Sequence, residues 1–470
     1  MATKKKFKLF DAVLAAVCIV LVVEAVAPAA AIGPWQYIWW AIMLVAFFLP
    51  YGMISAELGT TYDDEGGLYD WVKRAFGRKN GSRVAWYYWV NFPLWMASLA
   101  VLFTDILMAA TGVEINWILA LIIQLVFIWV VILISNYRVS QSKWLINIGT
   151  IVKVVLIVAM GGLGIYGAVV NGFANSASLA DISPLMGISF ISIILFNFMG
   201  FEVVTTFAGD MQNPKKEIPK AIVVGGILIA VFYLFGAFGV SAAIPYNELS
   251  VDSGFMDAAG ILLAGAPGII LSIIGFLFMF SLIANLSSWS FGVNYVAMYA
   301  ARDHAMPKIF EKENKDEVPS SANIINGVVA TIIVIIAAIL GQVNPDAVDS
   351  FWTLFALNVV TLLASYIFMF PAFQKLRKID PDRERPFKVS GGKGLIAIMT
   401  WVPFALLILA IIFLLFPYNA DTGMLEPDII LIIGVIISVI LGEIIAAVTT
   451  KKAPPETPEA LKKEVHDDAA

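Results

Sequence analysis

The stretch VVEAVAPAAAIGP, residues 22–34, sets a carboxylate, Glu24, inside an apolar run, with Pro28 four positions further on. A second acid, Glu202, stands beside Gly200 and Phe201 in NFMGFEVVTTF, and a third, Asp105, lies within ASLAVLFTDILMAATG. One cation, Lys153, occupies the same kind of setting in GTIVKVVLIVAMGG. An ionisable group near the centre of a bilayer costs roughly 2.5–3.5 kcal/mol on insertion scales, so it faces a cavity or a partner. Carboxylates around a dry cavity bind ammonium or guanidinium groups through charge-assisted hydrogen bonds. They repel a substrate carboxylate unless protonated, which leaves cation binding and proton carriage as the two chemistries open to these residues. Glu57, at the end of an apolar run and the start of a polar loop, fits a gate or structural role. Glu443 lies two turns from Lys451 and reads as a side chain snorkelling to the interface.

The elements that carry these residues follow from composition. The chain is 60% hydrophobic and 14% charged over 470 residues, against about 25% charged residues in soluble proteins, so lipid is its solvent. Runs of about twenty apolar residues are long enough to span. Twelve are present, near 9–32, 36–58, 84–111, 116–136, 142–169, 186–208, 218–244, 268–299, 322–341, 350–374, 394–416 and 427–449. The expected fold is all-α and integral to the membrane, with twelve transmembrane helices, short tails at 1–8 and 450–470, and no loop long enough to form a domain. The first run shows no small-residue cleavage site, so a cleaved signal peptide is not expected. The lone Cys18 excludes an internal disulfide.

Charge placement orients the spans. With the N-terminus inside, the inner loops and tails hold 29 of the 30 Lys and Arg residues, the outer loops hold none, and Lys153 is the thirtieth. This is the positive-inside pattern, and it predicts cytoplasmic N- and C-termini in a cell membrane.

No G-x-x-x-x-G-K-[ST] loop is present, so an ATP motor in this chain is not expected. No Cys/His cluster points to a metal or other cofactor, and neither an enzyme nor a nucleic-acid binder is expected. Twelve spans with buried carboxylates and interrupted helices read as a secondary transporter built from inverted repeats, each opening with a discontinuous helix. Ala27 and Pro28 mark the expected break in span 1, and Gly200 the break in span 6.

Three segments carry a family resemblance. SAELGTTYDDEGGLYDWVKRAFG (55–77), GFEVVTTFAGDMQNPKKEIPKAI (200–222) and WSFGVNYVAMYAARDHAMPKIF (289–310) resemble the corresponding motifs of the amino acid–polyamine–organocation superfamily. The resemblance covers roughly residues 8–390. It implies a five-plus-five inverted repeat, with spans 1–5 over 9–169, spans 6–10 over 186–374, and spans 11–12 added over 394–449. It further implies a substrate held between spans 1, 3, 6, 8 and 10. Amino-acid-transporting members carry a G-S-G-type triplet whose N–H groups hold the substrate carboxylate. Here Leu21, Val22 and Val23 stand at that place, directly before Glu24. Glu24, Asp105 in VLFTD and the pair Phe201–Glu202 resemble the site of the superfamily's polyamine transporters. In length and N-terminal style the chain is nearer the bacterial glutamate/GABA and agmatine/putrescine exchangers. Lys153 resembles the span 5 lysine that stands in for a sodium ion, which implies sodium independence.

The expected function is therefore secondary transport of organic cations such as agmatine, putrescine or longer polyamines, by exchange or with protons. Glu24, Glu202 and Asp105 are the expected amine ligands. Trp289, Phe198, Phe201 and Trp95 would supply cation–π contacts, and Asn197 and Ser288 neutral hydrogen bonds. An antiporter of an amino acid for its decarboxylation product is the alternative, and a non-transporting sensor on the same scaffold is the third reading.

Overall fold

The computed structural model describes residues 13, 17, 19–62, 66–137, 139–175, 191–202, 214–343, 350–419 and 422–451. It is built from helices: α1 (Val26–Ala30), α2 (Gln36–Met43), α3 (Leu49–Thr61), α4 (Leu68–Phe76), α5 (Arg78–Thr111), α6 (Trp117–Ser135), α7 (Val139–Asn171) and α8 (Ile191–Phe196). They are followed by α9 (Pro214–Ala243), α10 (Gly254–Leu262), α11 (Gly268–Arg302), α12 (Ser320–Val343), α13 (Ser350–Ile367), α14 (Met369–Ile379), α15 (Lys393–Leu415) and α16 (Ile429–Lys451). A two-residue hairpin, Tyr418 opposite Leu425, joins the last two. Among the described residues ten helical segments are long and apolar enough to cross a membrane. The other two expected spans, 9–32 and 186–208, lie only partly within the described residues, and each leaves helical geometry there.

Every backbone N–H and C=O must find a partner inside the membrane, which favours unbroken helices. Leu, Ile, Val and Phe supply the outward faces, where side chains such as Val45, Ile398 and Ile440 stay exposed for lipid to solvate. Within the bundle, polar side chains tie helices together. Asn323 on α12 donates to the Ser135 carbonyl of α6 at 3.0 Å and accepts from Ser290 and Asn294 of α11, both at 2.7 Å. Asn326 extends the ladder to Asn294 at 2.7 Å.

Small residues set the spacing elsewhere. A Cβ added at Gly239 would lie 2.2 Å from the Met160 carbonyl oxygen, and one at Gly164 would lie 2.4 Å from Gly239 Cα. The backbones of α7 and α9 therefore touch, which fixes Lys153 on α7 relative to Tyr233 on α9. Between α2 and α3 a π-helical turn, Leu44–Phe48, rotates the helix by one extra residue. Phe47, Phe48 and Tyr51 are consequently all buried.

The end that carries the basic loops is tied by ion pairs. Glu57, at the end of α3, is 2% exposed and accepts from Arg377 Nε at 2.7 Å and from Val389 N at 2.7 Å. Its second contact with Arg377 runs through Nη2, and Arg385 Nε lies 3.3 Å away. Lys73 of α4 meets Asp303 at 2.7 Å, with Tyr69 donating to the same carboxylate at 2.9 Å. Glu443 is paired through both oxygens to Arg83 of α5, at 2.5 and 2.8 Å, and so joins α5 to α16. Arg83 is the partner that its position near the chain end did not reveal.

Glu57→Ala leaves Arg377 and the nearly buried Arg385 with backbone carbonyl acceptors but without their carboxylate. The expected loss is about 3–5 kcal/mol, the usual effect of removing one member of a buried pair. An unfolding scan of purified protein reads it as a large drop in midpoint, and an unchanged midpoint would show that the cluster carries no stability.

Candidate functional site

The first span leaves helical geometry before Glu24. Leu21 still donates to the Val17 carbonyl at 2.8 Å, but Val22 is extended, at φ −131° and ψ 135°. A short 3-10 turn, Val23–Ala25, then leads into α1. The break therefore falls at Leu21 and Val22, and not at Ala27 and Pro28, which lie inside the resumed helix. The reason is positional: Pro28 is the third residue of α1, within the first turn, where a missing N–H costs no helical bond. Tyr233 of α9 repairs the gap. Its hydroxyl accepts from Val22 N at 2.9 Å and donates to the Val20 carbonyl at 3.1 Å. Trp289 Nε1 of α11 donates to the Ile19 carbonyl at 3.2 Å.

In the sixth span the helix gives way before Gly200. α8 ends at Phe196, a turn covers 197–200, and Gly200 takes φ +87°. That backbone favours glycine, and packing requires it as well. A Cβ here would sit 2.7 Å from Trp289 Cη2. The indole therefore bridges the two breaks, bonded to one and stacked on the other.

A small cavity lies at this junction. Val20 and Val22 line it from span 1, Asn91 and Trp95 from α5, and Phe196 and Met199 from span 6, with Trp289 and Leu362 completing the wall. The space in which a water can be centred is about 10 Å³, the volume one water needs. The conformation is thus closed on its cavity. Trp95 meets Trp289 and Phe196 edge-on, with ring centroids 5.6 and 6.0 Å apart.

Each carboxylate at a break has polar partners from distant elements. Glu24, 3% exposed, accepts from Asn285 Nδ2 of α11 at 3.2 Å, and the oxygen of that amide accepts from Lys153 Nζ at 3.2 Å. Glu202 accepts from the hydroxyls of Tyr51 on α3 and Tyr366 on α13. Tyr88 of α5 packs on Tyr366 at 6.2 Å, and Tyr51 on Tyr366 at 5.8 Å. Glu24 is thereby held against a fixed cation by way of an amide, and Glu202 is closed over by aromatic hydroxyls. Neither carboxylate lines the cavity in this conformation.

The other expected site residues divide. Trp95 and Trp289 line the cavity. Asn197, 1% exposed, follows Phe196 directly, and both its amide atoms are buried without a hydrogen-bond partner in this conformation. Phe198 and Phe201 were expected at the substrate and are instead packing residues. Phe198 lies edge-on to Trp40 at 5.1 Å and tilted against Phe48 at 4.6 Å, and Phe201 lies edge-on to Phe48 at 5.0 Å and against Gly225. The turn at 197–200 swings their rings towards α2, α3 and α9, away from the cavity. Ser288 is half-buried one residue before Trp289 and outside the cavity wall. Asp105 is half-buried on α5, ten residues beyond Trp95, about 15 Å along the axis. Tyr51, Tyr88, Tyr366, Tyr233, Asn91 and Asn285 were not anticipated. Each is a common helix residue with no motif of its own, and only its partners mark it.

Comparison with known proteins places this geometry in context. The family model described as amino acid permease matches residues 7–441. The chain is 50% identical over 446 residues to a probable agmatine/putrescine antiporter of Lactococcus lactis, covering 94% of this chain and 95% of that protein. It is 26% identical to an uncharacterized transporter of Legionella pneumophila, over 87% and 89% of the two chains. It is 24% identical to a glutamate/gamma-aminobutyrate antiporter of Lactococcus lactis, over 86% and 83%.

Gly200→Ala adds a methyl group against the indole and forces a residue with a side chain into positive φ. The expected destabilisation is about 2–4 kcal/mol, the sum of overpacking and backbone strain. Trp289→Phe on the same background removes the clashing ring atoms, so the double variant should recover the overpacking part. Strict additivity of the two changes in unfolding midpoint would show that the contact is unimportant.

Proposed function

The chain belongs to the amino acid permease family, and from that premise we propose that it is an antiporter exchanging small organic cations, agmatine and putrescine among them. The observation that carries this reading is the placement of buried Glu24 and half-buried Glu202 just after the two helix breaks, near a cavity walled by Trp95, Phe196 and Trp289. The 50% identity to a probable agmatine/putrescine antiporter supports the same substrate class. Where an amino acid carboxylate would need converging N–H donors, the broken segment presents Val22, whose N–H is already given to Tyr233 at 2.9 Å. An amino acid exchanger would lack its anion cradle here.

In this reading the two repeats are residues 9–169 and 186–374, each opening with an interrupted span. The basic loops face the cytoplasm of the cell that holds this membrane protein, with both termini on that side. Glu202 and its tyrosines close the path towards the cytoplasmic end, below the cavity. When they part, the carboxylate is released to a substrate amine. Glu24 takes the other amine from the side of the break facing Lys153. Trp289 and Trp95 cover the methylene chain between them, and Asp105 serves an approaching cation nearer the outer surface. Lys153 supplies a fixed positive charge where a coupling metal cation would otherwise sit.

Proteoliposomes loaded with putrescine should take up labelled agmatine, and unlabelled diamines should inhibit that uptake. Inhibition by amino acids, with none by diamines, would establish the amino acid reading instead. Glu24→Gln should weaken amine binding by about 1.5–3 kcal/mol, the loss expected for a charged hydrogen bond. Unchanged affinity would make Glu24 structural. Replacing sodium by potassium should leave the exchange rate unaltered, and stimulation by sodium would refute the role given to Lys153.

A further inference from the structure

The amide of Asn285 has a fixed sense. Lys153 has no acceptor, so the amide atom facing its ammonium at 3.2 Å must be oxygen. That orientation aims the NH₂ group at Glu24 Oε1, also at 3.2 Å. Asn285 is 1% exposed, Lys153 4% and Glu24 3%, so no water competes for these contacts from outside. Asn285 also lies four residues, one helical turn, before Trp289 on α11. The two side chains reach span 1 on opposite sides of its break, Trp289 at the Ile19 carbonyl and Asn285 at the Glu24 carboxylate. Helix α11 thus straddles the interruption.

We infer that Asn285 is a positioning residue that holds Glu24 turned away from the cavity until a substrate amine displaces it. The inference rests on the amine-exchange reading given above. A carboxylate that already accepts from Asn285 must give up that bond, or bend it, to meet a ligand in a cavity it does not line. Once an amine takes the oxygen, the Asn285 bond to Glu24 is lost, while Trp289 still holds the Ile19 carbonyl on the near side of the break. The segment 23–30 is then released from α11, while the segment before the break stays attached. Occupancy of Glu24 is in this way converted into freedom of one half of span 1 relative to the other. The neutral amide suits this task, because it yields to a charged donor, whereas a second cation at this position would hold the carboxylate permanently.

The test compares equilibrium binding of labelled putrescine by the purified full-length chain with putrescine–agmatine exchange in proteoliposomes. Asn285→Ala removes the competitor, and Asn285→Leu keeps the size while removing the donor to Glu24 without adding a charge. Both variants should bind putrescine about three- to tenfold more tightly, the range of one net hydrogen bond. Both should also exchange more slowly than the parent chain. A merely structural residue would instead lose affinity, rate and unfolding midpoint together, and that result in both variants overturns the inference. So does unchanged affinity with an unchanged rate. Parent protein that binds no diamine overturns the amine reading and the inference with it. Normal parental binding with weakened variants overturns the inference alone.

Discussion

An interrupted helix inside a membrane leaves backbone groups that lipid cannot satisfy, and the arrangement of this protein follows from where those groups find partners. Each such group left alone costs several kcal/mol. Around Val22 the partners are a phenol from α9 and an indole from α11, which supply both a donor and acceptor on one side and a donor on the other. Helix α9 also lies in backbone contact with α7, through Gly164 and Gly239, and α11 crosses the break. The repair of one gap thereby fixes the relative places of four spans.

The same constraint governs the charges. A carboxylate at membrane depth needs donors, and neither Glu24 nor Glu202 obtains them from its own span alone. Glu24 reaches Asn285, and through it Lys153. Glu202 reaches hydroxyls on α3 and α13. The two solutions differ in kind. One sets the acid beside a permanent cation by way of an amide, while the other gives it neutral hydroxyl donors from two packed tyrosines.

At the basic end the bonds are charged and numerous, and they join α3 to α14 and the segment before α15. Neutral hydroxyls bond at the cavity, amides join α6, α11 and α12 beside it, and ion pairs lie at the water-facing end. This ordering follows the cost of desolvation, because an ion pair keeps most of its value only where water or backbone groups complete its shell.

Much of this was legible in the chain itself. Hydropathy marked the ten long apolar helices found among the described residues, since lipid solvation acts on each segment almost independently of the others. Charge inside the apolar runs at Glu24, Glu202 and Lys153 was equally visible, because an ionisable residue in such a run is costly wherever it lands. The proline of span 1 misled, as a proline in the first turn of a helix begins it rather than breaks it. Phe198 and Phe201 could not be assigned from spacing, because a turn at Gly200 redirects both rings. Tyr51, Tyr366, Tyr233 and Asn285 carry no local mark, for a hydroxyl or amide on a helix becomes meaningful only when another element brings it an orphaned group. The sequence by itself determined that charges would be buried and where along the chain. Only the tertiary structure decided which side chains answer them, since hydrogen bonds are short, directional and made between segments more than a hundred residues apart.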